Sequence, residues 1–176
     1  MKTIAILVSV LLRASIIPGC LEGETKISVG GADENWWINY KDNRQSNAGG
    51  AVNHPQWVLD TLESKPVVFV VHRTGCGPCT PQADRMNEIS KEYSSKITFL
   101  DLDLSGDSAE YNQAMSCVAY DPNGGQTLIA LTGMITKVKD ASGNVAVGWH
   151  AWEGDMGEEE IRNWIEDAIA HYQNNG

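Results

Sequence analysis

Cys76 and Cys79 stand three positions apart in the stretch VVHRTGCGPCTPQADRM, residues 70–86. Two thiols so spaced can ligate a metal, brace the chain as a disulfide, or exchange disulfides. Their setting distinguishes these uses. A short β-branched run, VVFVV at 67–71, reads as a buried strand, and apolar side chains at helical spacing follow the cysteines. The first cysteine is therefore expected at a helix N-terminus. Unpaired backbone N–H groups and the helix dipole there favour an anion. A thiolate is such an anion, so the Cys76 pKa should fall below the free value of about 8.5. Cys79 lies about one helical turn further on, within reach of a disulfide. Gly77 is expected to permit close approach of the chain, and Pro78 to occupy the first helical turn, where its missing N–H is harmless. The two thiols are then unequal. Cys76 is exposed and attacks a substrate disulfide, and the more buried Cys79 resolves the mixed disulfide by attacking Cys76. A static brace across so short a loop would stabilise the fold only weakly. As metal ligands the pair supplies two donors, and no other His or Cys stands at the spacing of a zinc site.

The sequence Cys76-Gly77-Pro78-Cys79 is that of the thioredoxin active site, and the element order from about residue 53 to the C-terminus resembles the thioredoxin fold over roughly two-thirds of the chain. The resemblance implies an α/β domain with a central mixed β-sheet flanked by helices. It also implies a redox-active Cys76–Cys79 pair, protein disulfides as substrates, an upstream thiol as electron donor, a monomer, and no cofactor. The Gly-Pro dipeptide is that of strongly reducing members, so a reductase is expected. Three positions depart from the family pattern. Gly75 stands where thioredoxins carry Trp, and Val70 where they carry a buried Asp that aids deprotonation of the second thiol. No proline occupies the stretch GGQTLIALTGMI, where the family has a cis-proline facing the disulfide. Gln126 or Ala130 could take that place, and hairpin length favours Ala130. A cis bond before a non-proline residue costs about 3 kcal/mol, so a trans peptide is expected. Without the proline, a metal-binding protein of the same fold using Cys76 and Cys79 is the alternative reading. His72 and Arg73 are near enough in sequence to stabilise the Cys76 thiolate, although His72 reads first as a strand-end side chain.

The remaining elements follow from periodicity. Asn53 is expected to cap a helix with Pro55 in its first turn and Val58, Leu59 and Leu62 inward. Ala83, Met86, Ile89, Ser90 and Tyr93 share one face of the next helix. Residues 96–104 alternate as a strand, and 107–118 form a third helix. Its cap is a capping box of Asp107 with Glu110, and its inner face is Tyr111, Ala114, Met115 and Val118. Strands over 127–139 and 144–152 are joined by the turn DASGN into an antiparallel hairpin, with Trp149 and Trp152 on opposite faces. Asp155 is expected to cap the last helix, whose buried stripe is Ile161, Trp164, Ile165, Ala168, Ile169 and Tyr172. Cys117 reads as a buried core thiol, and His150 as a side chain lining a surface.

The N-terminal part has a different character. Lys2 precedes an apolar run, IAILVSVLL, too short to span a bilayer. The following Ile17, Gly19 and Cys20 resemble the lipobox of a bacterial-type lipoprotein signal, with Cys20 as the lipidated residue. Residues 1–19 are thus read as a signal peptide, 20–52 as a tether and extension, and 53–176 as the thioredoxin-like domain. Trp36 and Trp37 suggest that part of the tether packs back, as an edge strand at 36–40. The chain is expected in the cell envelope, exported and lipid-anchored to the outer face of a membrane or periplasmic, where disulfides persist. A formal net charge of −10 argues against nucleic acid as a partner.

Overall fold

The structure, a computed structural model, describes Trp37 and residues 52–123, 126–140 and 142–175. The signal peptide and Cys20 lie outside the described residues, as does the tether apart from Trp37 and Val52. The elements, numbered in chain order, are α1 (Gln56–Leu62), β1 (Val67–His72), α2 (Thr80–Glu92), β2 (Thr98–Asp103), α3 (Ser108–Ser116) with a 3-10 turn over Cys117–Tyr120, β3 (Leu131–Lys139), β4 (Val145–Glu153) and α4 (Glu158–Asn175).

The four strands form one mixed sheet in the order β2-β1-β3-β4. β1 runs parallel to β2, with Val70 beside Asp101 and His72 beside Asp103. It runs antiparallel to β3, with Phe69 beside Gly133, and β3 and β4 form the hairpin. This is the thioredoxin topology that the element order implied. β1 is central and buried from Val67 to Val71, which explains its unbroken β-branched run. Alternation sends Val68 and Val70 into one core with α2 and α4, and Val67, Phe69 and Val71 into a second core with α1 and the α3 region. Gly133 is required on the second side: a Cβ there would fall 2.1 Å from Cζ of Phe69, so the phenyl ring lies across the neighbouring strand where only hydrogen leaves room.

Several local expectations need correction. Asn53 does not cap α1. The N-cap is Pro55, whose carbonyl accepts from the Val58 N–H at 3.0 Å. The Asp107 side chain caps α3 through Ala109 N and Glu110 N, but Glu110 does not close the box. Its Oε1 accepts instead from the Asp103 N–H at 2.9 Å. Tyr111, Met115 and Val118 are exposed, whereas Ala114 and Cys117 are buried. The small pair lets α3 approach β2 closely, and the large side chains are turned out. Asp155 pairs with Arg85 of α2 rather than capping α4. Residues 127–130 are not strand; β3 begins at Leu131.

Trp37 packs back, but it lies in a helix, not an edge strand. It is fully buried in the core shared by α2 and α4. Its Nε1–H donates to Oδ2 of buried Asp167 at 2.8 Å, and its ring meets Trp164 edge-on at 5.2 Å and His150 at 5.5 Å. Gly148 makes the space, since a Cβ there would lie 2.6 Å from the Trp37 Cβ. His150, expected at a surface, is buried between Trp152 and Trp164.

Candidate active site

The site lies where β1 ends and α2 begins. His72 is the last residue of β1, and residues 73–79 form two successive turns before Thr80 opens α2. The first turn closes with the Cys76 N–H donating to the Arg73 carbonyl at 3.0 Å. Its third residue, Gly75, has φ +83°, the positive value that a type II turn requires at that place and that glycine adopts freely. Gly75, where the family pattern has tryptophan, is thus matched to the backbone of the turn that ends at Cys76. The second turn closes with the Cys79 N–H donating to the Cys76 carbonyl at 3.0 Å. Thr80 N adds a helix-type bond to the same carbonyl at 3.2 Å. The helix proper therefore starts later than expected. Cys79 is its N-cap, Pro81 occupies its first turn, and Pro78 belongs to the turn before it. Gly77 is open, with no atom within 4 Å of an added Cβ, so close approach is not the reason for that glycine.

Cys76 and Cys79 are joined by a disulfide, with Cα atoms 5.3 Å apart. The two are unequal in burial. Cys79 is 0% exposed and belongs to the core cluster of Val70, Ala83, Ala130 and Met156, whereas Cys76 is partly exposed at the edge of that cluster. Gly77 and Pro78 are exposed beside it. The segment entering β3 reaches the same cluster through Ala130. Ala130 is buried, and its carbonyl accepts from the Gly154 N–H at 2.8 Å. The Ile129–Ala130 peptide is cis, so the expected trans bond is corrected. The cis bond precedes Ala130, the position that hairpin length favoured.

One buried polar group of α2 was passed over by sequence reasoning. Gln82 is fully buried on α2. Its Nε2 donates to Thr132 Oγ1 at 2.8 Å, and its Oε1 accepts from the Met156 N–H at 2.9 Å. It thereby ties α2 to β3 and to the loop before α4. Thr132 sits beside Val70 in the sheet, so a neutral hydrogen-bonded pair lies next to the position of the family's buried acid. His72 Nε2 lies 2.7 Å from Asp101 Oδ1, and Asn87 Nδ2 donates to Asp101 Oδ2 at 2.6 Å. Arg73 is exposed.

Asp103, at the end of β2, grips the loop directly. Its Oδ1 accepts from Thr74 N at 3.0 Å and Ser105 N at 2.7 Å, and its Oδ2 from the Thr74 hydroxyl. These donors, led by the Thr74 hydroxyl, pull its pKa down to about 2. A carboxyl whose folded pKa is depressed contributes stability above its unfolded pKa and loses it as pH falls through the folded value. The grip therefore persists until the solution approaches pH 2.

The third thiol stands apart. Cys117 is buried in the core on the other side of the sheet, its Sγ 3.5 Å from the Gln113 carbonyl. Burial pushes its pKa up to about 12, so it stays protonated and unreactive at neutral pH. Among the described residues, no group of three or more His, Cys, Asp or Glu is placed to hold a metal ion, and no helix is long and apolar enough to cross a membrane.

No protein-family model matches the chain, and no curated protein sequence does. Solved structures with a similar course of chain include a thiol:disulfide interchange protein of the thioredoxin family from Chlorobium tepidum, 20% identical, covering 62% of this chain and 83% of that one, with TM-score 0.44. Another is thioredoxin of Fasciola hepatica, 14% identical, covering 64% and 88%, with TM-score 0.40. A third is chloroplastic thioredoxin z, 13% identical, covering 70% and 93%, with TM-score 0.40.

Proposed function

We propose that this chain is a thiol–disulfide oxidoreductase that reduces disulfides of exported proteins. The observation that carries this reading is the asymmetry of one disulfide: its first sulfur belongs to a partly exposed residue and its second to a fully buried one. In the reduced protein the Cys76 thiolate attacks one sulfur of a substrate disulfide. A protein–substrate disulfide forms, and the other substrate sulfur leaves as a thiolate. Cys79, losing its proton, then attacks Cys76 Sγ and expels the second substrate thiolate. The substrate gains two electrons and becomes a dithiol, while the protein becomes the Cys76–Cys79 disulfide. An upstream thiol of the envelope returns it to the dithiol state. Gly77 and Pro78, exposed beside Cys76, line the approach of the substrate. The chain acts as a monomer, with no cofactor and no nucleic acid.

The lipobox resemblance at Ile17, Gly19 and Cys20 supports a lipid anchor on Cys20 and a site in the cell envelope. Trp37 gives that anchor a mechanical consequence. Because Trp37 is fixed in the core, the chain length from Cys20 to Trp37 bounds the reach of that anchor at about 60 Å.

Equilibration with glutathione tests the direction of transfer. A reductase should show a potential near the roughly −270 mV of thioredoxin; a value close to the about −120 mV of a strong oxidant would overturn the reducing direction.

A further inference from the structure

We propose that Asp103 and Thr74 are positioning residues for the nucleophile, holding from β2 the turn that ends at Cys76. The proposal rests on the oxidoreductase reading for its consequence in catalysis, but its geometry stands independently. Thr74 is the second residue of the turn closed between Arg73 and Cys76, and Gly75 the third. Asp103 takes both polar hydrogens of Thr74, backbone and hydroxyl. It is itself held from behind, since its own N–H donates to Glu110 Oε1 at 2.9 Å. A continuous path of hydrogen bonds thus runs from α3 through the end of β2 into the loop. Gly106 fits the same path: a Cβ there would fall 2.0 Å from Glu110 Oε2, so a side chain would displace the glutamate.

The neighbouring acid of β2 repeats the pattern one step back. Asp101 lies on the same face as Asp103, two residues earlier, and contacts His72 as Asp103 contacts Thr74. The residues on either side of Arg73 are therefore both tied to β2. Asn87 joins Asp101 to α2, so the strand, the loop and the helix are held at one corner. The ionisable side chains at this corner include His72 of β1, Arg73 of the turn, Asp101 and Asp103 of β2, and Glu110 of α3. With the turn fixed, Cys76 is held just ahead of α2, where the N–H groups of the helix start can favour its thiolate.

Positioning and simple charge make opposite forecasts. Removing a nearby negative charge alone makes a thiolate easier to form; releasing the loop makes it harder, moving Cys76 toward the free value of about 8.5. The test is the pH profile of iodoacetamide alkylation of Cys76 in the reduced full-length protein, alongside the rate of insulin disulfide reduction at pH 7. Asp103→Ala and Thr74→Val should move the alkylation midpoint upward, by about half a pH unit or more, and slow reduction about threefold or more. Asp103→Asn keeps an acceptor without the charge, and Thr74→Ser keeps both donors; both should stay within about twofold of the parent. A downward shift, an Asp103→Asn profile equal to that of Asp103→Ala, or four unchanged profiles would overturn the proposal. If Asp103→Ala does not fold, Thr74→Val, at an exposed position, carries the decision. Alkylation needs no substrate. Shifted profiles in a protein that reduces nothing would refute the oxidoreductase reading and leave the positioning role standing; rapid reduction with unshifted profiles would do the reverse.

Discussion

Replacing Cys79 with serine is expected to turn the chain into a trap: substrate proteins accumulate on Cys76 as mixed disulfides, while Cys76→Ser captures none and loses disulfide reduction by at least about 10³-fold, the scale on which a catalytic nucleophile is missed. The asymmetry follows from burial. A folded substrate cannot bring its disulfide to the sulfur of Cys79, which is 0% exposed, but it can reach Cys76 at the edge of the same core cluster. Once the mixed disulfide has formed, the internal thiol that resolves it is Cys79, with Cα only 5.3 Å away. Cys117 cannot take over. It lies in the core across the sheet, and burial keeps its thiol protonated. Non-reducing electrophoresis followed by identification of the captured proteins reads the result. Equal capture by the two single variants would contradict the assignment of attacking and resolving roles.

The second large effect concerns stability. Trp37→Ala should destabilise the full chain by about 3–5 kcal/mol, the usual cost of truncating a large buried aromatic. In thermal unfolding this is a fall in Tm of roughly 10 °C or more for a domain of this size. The ring fills a space between Gly148 of β4 and Trp164 of α4, and its indole N–H serves the buried carboxylate of Asp167. Trp37→Phe should recover part of the loss by restoring ring packing without the donor. Gly148→Ala supplies an independent check, because its methyl group would collide with the Trp37 Cβ from the other side. Unchanged urea midpoints for both Trp37→Ala and Gly148→Ala would show that the extension is not part of the folded core in solution.

Much of the scaffold could be read from residue types. The run Val67–Val71 announced a central strand because burial on both faces removes the usual alternation, and Ile161, Trp164, Ile165, Ala168 and Ile169 announced α4 by helical spacing. The unequal burial of the thiols was also expected, although Cys76, placed by that reading at the helix N-terminus, lies in the turn before it and Cys79 is the N-cap. Tertiary choices were not legible. The stripe Tyr111, Met115 and Val118 has correct helical spacing, yet close packing of α3 on β2 selects Ala114 and Cys117, and no local signal ranks the two faces. Glu110 and Asp155 carry good capping chemistry, but Asp103 N and Arg85 are nearer partners in the folded chain. Gln82 read as one more polar helix residue, because its partners Thr132 and Met156 are distant in sequence. The only early hint of the Asp103 grip was the alternation LDLDL, which places two acids on one face of a strand next to the loop.

Turnover is the most direct test of the central claim. The reduced full-length protein, purified anaerobically and assayed for metal, is mixed with insulin and dithiothreitol, and precipitation of the released B chain is followed against Cys76→Ser. The expected result is metal-free protein that accelerates insulin reduction and a variant that does not. Protein that leaves the rate of dithiothreitol alone unchanged while holding a stoichiometric metal on Cys76 and Cys79 would contradict the account and favour the metal-binding alternative.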